Sequence, residues 1–284
     1  MSAIVIQSKL QASDEETNTN IKRIRTVTSA AAARYGQANI FMRKISISLI
    51  LFSFGISIYA QQTQQWINQL ENPKYDSDLL NPTNEIETYK AFDFSTFLVP
   101  KTDFLGFIGD DYRRIRIFYS SIGKDSYEPI KYNVTGISLV GSNKCTFQGT
   151  ITLTQVRELQ TMHFGLDNEY NSRGLKSQFV VVADYEFNED SSINHSGSFK
   201  GIMTLWCYMD KYDIIHYDKI QWYSDRYANN QYIGTWTGYK NEGIKICNWG
   251  EYRIPFSNEL DIGAGHFSPD RKYFRMGWDD IERK

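Results

Sequence analysis

From Arg113 onward apolar and polar residues alternate with a period of two, and the stretches are broken by clusters of Gly, Asn and Asp. Such a pattern buries its apolar half only as an antiparallel β-sheet. Successive side chains of a strand point to opposite faces, so the alternation also assigns the faces. Cys145, Phe147, Gly149, Ile151 and Leu153 share one face, with Thr146, Gln148, Thr150 and Thr152 opposite. Phe179, Val181, Ala183, Tyr185 and Phe187 oppose Gln178, Asp184, Glu186 and Asn188. Phe199, Gly201, Met203, Leu205, Cys207 and Met209 oppose Ser198, Lys200 and Thr204. Eight strands are expected, at about 113–120, 128–140, 144–154, 178–188, 197–209, 213–224, 231–239 and 244–254. Most connections are short, as in a meander. The exception is 155–177, where a helical turn is expected around Val156 to Met162.

Thr146-Phe147-Gln148-Gly149-Thr150-Ile151-Thr152-Leu153 reads like Ser198-Phe199-Lys200-Gly201-Ile202-Met203-Thr204-Leu205. Both put Phe and Gly on the apolar face, where a glycine relieves crowding or lets a strand bend. The echo is a strand solution shared within one sheet and not a duplicated domain. Eight such strands make a mainly β chain, either an up-and-down barrel or a two-sheet sandwich. The barrel is the first expectation, and its interior is one that side chains just fill or that holds one small ligand. A lipocalin-like architecture follows by analogy. Lipocalins carry Gly-x-Trp near the first strand, whereas Gly234-Thr235-Trp236 lies near the seventh here, so the analogy transfers no binding residue.

Upstream, a helix is expected from Gln61 to about Leu80, with Trp66 and Leu70 on one face and Asn81-Pro82 ending it. Before it, Met42-Arg43-Lys44 leads into the apolar run Ile45 to Ile58, followed by Tyr59-Ala60-Gln61. A positive region, an apolar stretch and a small residue at the cut form a secretory signal peptide. The run is shorter than the roughly 20 residues of a membrane-spanning helix. The organisation expected is an extension over 1–41 with the true start at Met42, a signal peptide over 42–60, a helical and irregular segment over 61–112, and a β-barrel over 113–284. The competing reading of 1–41 is a genuine extension that makes the apolar run an uncleaved anchor. With cleavage the chain is not an integral membrane protein, and its place is the periplasm or the exterior.

Removing residues 1–60 takes away seven basic and three acidic residues, leaving 24 basic and 30 acidic and a net charge of −6. That argues against a nucleic-acid partner, which needs clustered Lys and Arg. The one dense basic cluster, Arg113, Arg114 and Arg116, reads as a solvated strand edge. Cys145, Cys207 and Cys247 are too few for a disulfide framework and allow at most one bridge.

The stretches Tyr232 to Tyr239, Cys247-Asn248-Trp249-Gly250-Glu251-Tyr252-Arg253-Ile254-Pro255 and Asp261 to Gly265 resemble the C-terminal part of uncharacterised exported proteins of the Bacteroidota. The Ala60-Gln61 junction is similar to cleavage sites in that group. The resemblance covers under a quarter of the chain. It implies export from a Gram-negative cell and no particular activity.

No nucleophile elbow, HExxH or phosphate loop is present. His163, His195, His216 and His266 lack metal-ligand spacing, so neither metal nor cofactor is expected. On a strand from Asp213 to Trp222, His216 and Asp218 share a face about 7 Å apart and are the candidate acid–base pair. The competing reading is a solvent-facing pair. Aromatics are the stronger hint: Trp206 and Tyr208 point away from the face of Met203 and Leu205, Trp222 follows on the next strand, and Trp236 lies on the one after. Trp206, Tyr208, Trp222 and Trp236 are the candidate ligand-binding residues, unless segment 61–112 or 155–177 covers that face. The leading expectation is an exported, non-enzymatic barrel binding a small apolar or glycan-like ligand or an envelope partner protein. The alternatives are a glycan hydrolase with carboxylates at the barrel mouth, and a structural envelope component or protein inhibitor.

Overall fold

Nine strands make one antiparallel sheet in the computed structural model, which describes residues 61–225, 227–240 and 243–281. They are β1 (Leu105–Ile108), β2 (Arg113–Lys124), β3 (Lys131–Val140), β4 (Asn143–Glu158), β5 (Leu175–Glu189), β6 (Gly197–Asp210), β7 (Ile215–Tyr217), β8 (Asn229–Gly238) and β9 (Ile244–Glu251). The order is β5-β4-β3-β2-β1-β9-β8-β6-β7, and a further pairing of β5 with β6 closes eight strands into a ring. The expected up-and-down barrel is the fold. The extension and signal peptide expected over 1–60 lie outside the described residues.

Alternation has the consequence it promised: the apolar faces of β4, β5 and β6 are buried inside the ring. The interior is filled by rings. Tyr232 stacks on Trp249 at 4.8 Å, Tyr185 meets both edge-on at 5.3 and 5.2 Å, and Phe147 stacks on Phe187 at 5.1 Å. Room for them comes from glycine. Gly201 is in register with both Tyr185 and Gly234, and a side chain there would meet the Tyr185 ring and Gly234 Cα, each at 2.8 Å.

One end of the barrel is plugged. Two short helices, α1 (Ile86–Tyr89) and α2 (Ser95–Leu98), drive Tyr89, Phe94 and Leu98 into it, and Phe94 meets Phe179 edge-on at 6.3 Å. Full burial of each such side chain stabilises by roughly 1.5–3 kcal/mol. The plug is pinned by Glu251, which accepts from Lys101 N (2.5 Å), Thr102 N (2.8 Å) and Tyr217 Oη (2.8 Å). Outside the wall, Leu260, Phe267 and Trp278 of the C-terminal segment pack on Phe107, and Asp280 takes both Arg114 and Arg116. Two of the three arginines expected on a solvated edge are therefore part of that packing.

Several boundaries differ from the sequence expectation. The barrel begins at Leu105 with β1, which the sequence pattern does not reveal: both its faces are buried, so it shows no alternation. The strand expected at 213–224 is only β7, since the chain leaves the sheet after Tyr217. The expected count of eight equals the number of ring strands only because β1 is missing from it and β7, a short strand outside the ring, is included. The 156–162 region is not helical; β4 continues to Glu158, and the connection carries two single 3-10 turns at Leu166–Asn168 and Asn171–Arg173. The N-terminal helix spans 61–71 and stops well before Leu80, because Pro73 disfavours helical geometry at Asn72. No helix among the described residues is long and apolar enough to cross a membrane.

All three cysteines are free and buried, so even the one allowed bridge is not formed. Burial pushes the Cys145 thiol up to about 11 and those of Cys207 and Cys247 well above their ordinary value, which keeps them unreactive.

Candidate functional site

The barrel wall splits at one place. β6 pairs with β8 as far as Thr204 opposite Gln231, then takes β7 instead, from Cys207 opposite Tyr217. Trp206 sits between the two partners. The side chain of Asn229 fills the gap as a backbone would: its Oδ1 accepts from Trp206 N (2.7 Å) and its Nδ2 donates to Trp206 O (2.9 Å). The same amide accepts from Asn230 N (2.7 Å) and donates to Asp218 O (3.3 Å). One fully buried residue thus fixes both the seam and the loop leaving it.

Outside this seam lies a cleft of about 570 Å³. Segment 69–78 forms one wall, Asp218, Gln221, Ser224, Tyr227 and Ala228 the other, and Trp206, Leu159 and Gln178 the floor. Leu70 and Trp206 pack with Leu80, Leu159 and Val180. The bridge of Leu80 to Leu159 and the bond from Asn81 N to Glu158 O (2.7 Å) hold the N-terminal segment there. The outer face of β6 is therefore covered in part, as the competing reading of the aromatics held, and the cover itself shapes a cleft.

A chain of polar groups crosses the floor. Asp78 Oδ1 meets His163 Nε2 at 3.1 Å, His163 N donates to Gln178 Oε1, and Gln178 Nε2 donates to Asp218 Oδ2 at 3.2 Å. Asp218 Oδ1 accepts from Ile220 N (2.8 Å), and Tyr227 Oη donates to Asp218 O (2.5 Å). Burial pushes the Asp218 carboxyl above the usual carboxylate range, against the bonds from Ile220 and Gln178 and the field of His163. A buried carboxyl in a cleft, partnered by an amide and close to an imidazole, makes this the candidate site of the described residues.

The expected pair His216 and Asp218 does not meet. The strand ends at Tyr217, so the spacing of two residues no longer places them on one face. His216 Nε2 instead bonds Asp210 Oδ2 at 2.9 Å and stacks on Tyr208 at 4.8 Å. That bond from His216, with the N–H groups of Ile214 and Tyr212, holds the Asp210 carboxyl below its ordinary value. Of the candidate aromatics, Trp206 lines the cleft, while Tyr208 is buried between Tyr170 and His216. Trp222 is 63% exposed on the turn after β7. Trp236 belongs elsewhere, facing the barrel interior at the end away from the plug. Asp78, His163, Gln178 and Tyr227 were not recognisable as site residues, since they come from four separate stretches and no local motif joins them. Among the described residues no group of three or more His, Cys, Asp or Glu is placed to hold a metal ion.

Comparison with protein-family models gives no match to this chain. No curated protein matches it. No solved structure matches it either.

Proposed function

We propose that this chain is an exported β-barrel whose wall cleft binds a neutral, glycan-type ligand. The observation that carries the reading is the Trp206 indole set beside a row of planar amide, imidazole and carboxyl groups, Gln178, His163, Asp78 and Asp218. A sugar ring offers an apolar C–H face and a rim of hydroxyls that both donate and accept. An indole matches the face with few rotors to freeze, and amides and carboxylates match the rim. The volume lies within the roughly 300–1,000 Å³ of small-ligand sites. Export is supported by the order of basic, apolar and small residues over 42–60.

Titration calorimetry against a panel of neutral oligosaccharides tests the reading. Wild type is expected to bind at least one, Trp206→Phe to retain most of the affinity, and Trp206→Ala to lose at least about tenfold, near 1.4 kcal/mol. Binding of no sugar, or equal binding by Trp206→Ala, overturns it. The buried Asp218 favours a second reading, hydrolysis of the same ligand with Asp218 as the acid. Turnover by wild type and none by Asp218→Asn with binding intact selects that reading.

A further inference from the structure

The end of the barrel away from the plug is open and carries a second pocket of about 540 Å³ that shares no residue with the wall cleft. Its floor is Trp236 and Phe199, buried to 4% and 1% exposure. At the edge of the Trp236 ring lies Glu189, itself buried and lining the same pocket, which accepts from Trp236 Nε1 (2.9 Å), from Gly197 N (2.7 Å) and from Ser138 Oγ. An indole whose N–H is held by a carboxylate has a more electron-rich face, the face that attracts a cation. A cation already stands there: Lys245 Nζ lies 5.1 Å from the centre of the Trp236 ring. Lys245 is an exposed residue, and its stem runs past Gly109 at the rim.

The surrounding charge favours the same sign of ligand. Asp110 and Asp111 line the rim with Arg113 and His195, and Arg113 pairs with Asp111 at 3.3 Å. An anion entering the pocket approaches Glu189, which lines it, and the two aspartates at the rim. A cation replaces Lys245 on the ring and meets acceptors. We propose that the barrel mouth is a binding site for a small organic monocation, an alkylammonium or quaternary ammonium group, which docks on Trp236 and displaces the Lys245 ammonium.

Choline and its uncharged isostere 3,3-dimethylbutanol are the probes, titrated into wild type, Lys245→Ala and Lys245→Arg, with the Trp236 indole N–H followed by NMR. Lys245 is exposed, so neither substitution disturbs the core. Choline is expected to bind wild type and to shift that resonance, and the isostere to bind at least tenfold more weakly. Lys245→Ala frees the ring and is expected to bind choline at least fivefold tighter. Lys245→Arg, which keeps the charge and stacks better, is expected to bind no tighter than wild type. Equal binding of the two probes shows a pocket that reads shape alone and overturns the proposal. Loss of choline binding in Lys245→Ala, or no choline binding in wild type and Lys245→Ala alike, overturns it as well.

Discussion

Replacing Asn229 by alanine removes the amide that closes the barrel wall beside Trp206. Four hydrogen bonds go with it, but they are not equivalent. Trp206 O keeps the bond from Asp218 N (3.1 Å), and Asp218 O keeps Tyr227 Oη (2.5 Å). Two buried donors, Trp206 N and Asn230 N, lose the acceptor Asn229 Oδ1. At about 1–3 kcal/mol for each stranded group the expected loss is about 2–6 kcal/mol. For a domain of this size that lowers Tm by roughly 4–24 °C, at about 2–4 °C per kcal/mol. Urea unfolding followed by near-ultraviolet circular dichroism measures it, and hydrogen exchange at the Trp206 amide reads the seam locally. Asn229→Asp keeps the acceptor but places an uncompensated charge in the wall. Its folded-state pKa is therefore raised, and its deficit shrinks as the pH falls and the carboxyl is neutralised. A loss below about 1 kcal/mol for Asn229→Ala, or unchanged exchange at Trp206, refutes the assignment of Asn229 as the closing residue.

Asp218→Asn is expected to change how stability depends on pH. The folded-state pKa of Asp218 is raised by burial, so its contribution is full below the unfolded pKa, near 3.9, and is lost as the pH rises through the folded value. The stability of Asp218→Asn relative to wild type therefore rises as the pH increases from about 4, and a gap that is flat or falls with rising pH in denaturant titrations contradicts the assignment. Expression from Met42 in a Gram-negative host is expected to deliver to the periplasm a chain beginning at Gln61, read by intact mass. Retention of the uncleaved chain in the inner membrane refutes the signal-peptide reading.

The barrel was legible because β4, β5 and β6 each carry one continuous apolar face, alternating with polar residues over part of each strand, although Gln178, Val180, Ile202 and Thr204 on the other face are buried too. The echo between 146–153 and 198–205 also has a physical reason. Both strands flank β5, and each sets its glycine opposite one of the β5 aromatics, Gly149 against Phe187 and Gly201 against Tyr185. The two phenylalanines of the echo, Phe147 and Phe199, meet edge-on at 6.4 Å inside the ring. β1 was illegible because Phe107 points out of the barrel into a second apolar cluster under Trp278, which erases the alternation. Only Trp206 and Asp218 of the wall cleft were found from the sequence, and Asp218 was found for the wrong partner. Its true neighbour is Gln178, forty residues away, which alternation had placed on the outer face as an ordinary polar residue. Asn229 shows the same limit. An asparagine at a strand start reads as a turn residue, and only the split of β6 between β8 and β7 gives its amide a structural task.

The most direct test of the binding cleft is a map of backbone amide and indole shift changes as the tightest neutral oligosaccharide is added. The account predicts changes confined to 69–78, His163, Gln178, Trp206, Asp218, Gln221, Ser224, Tyr227 and Ala228, with the Trp206 indole among the largest. Changes centred on Trp236 at the barrel mouth, or none at saturating sugar, would contradict it.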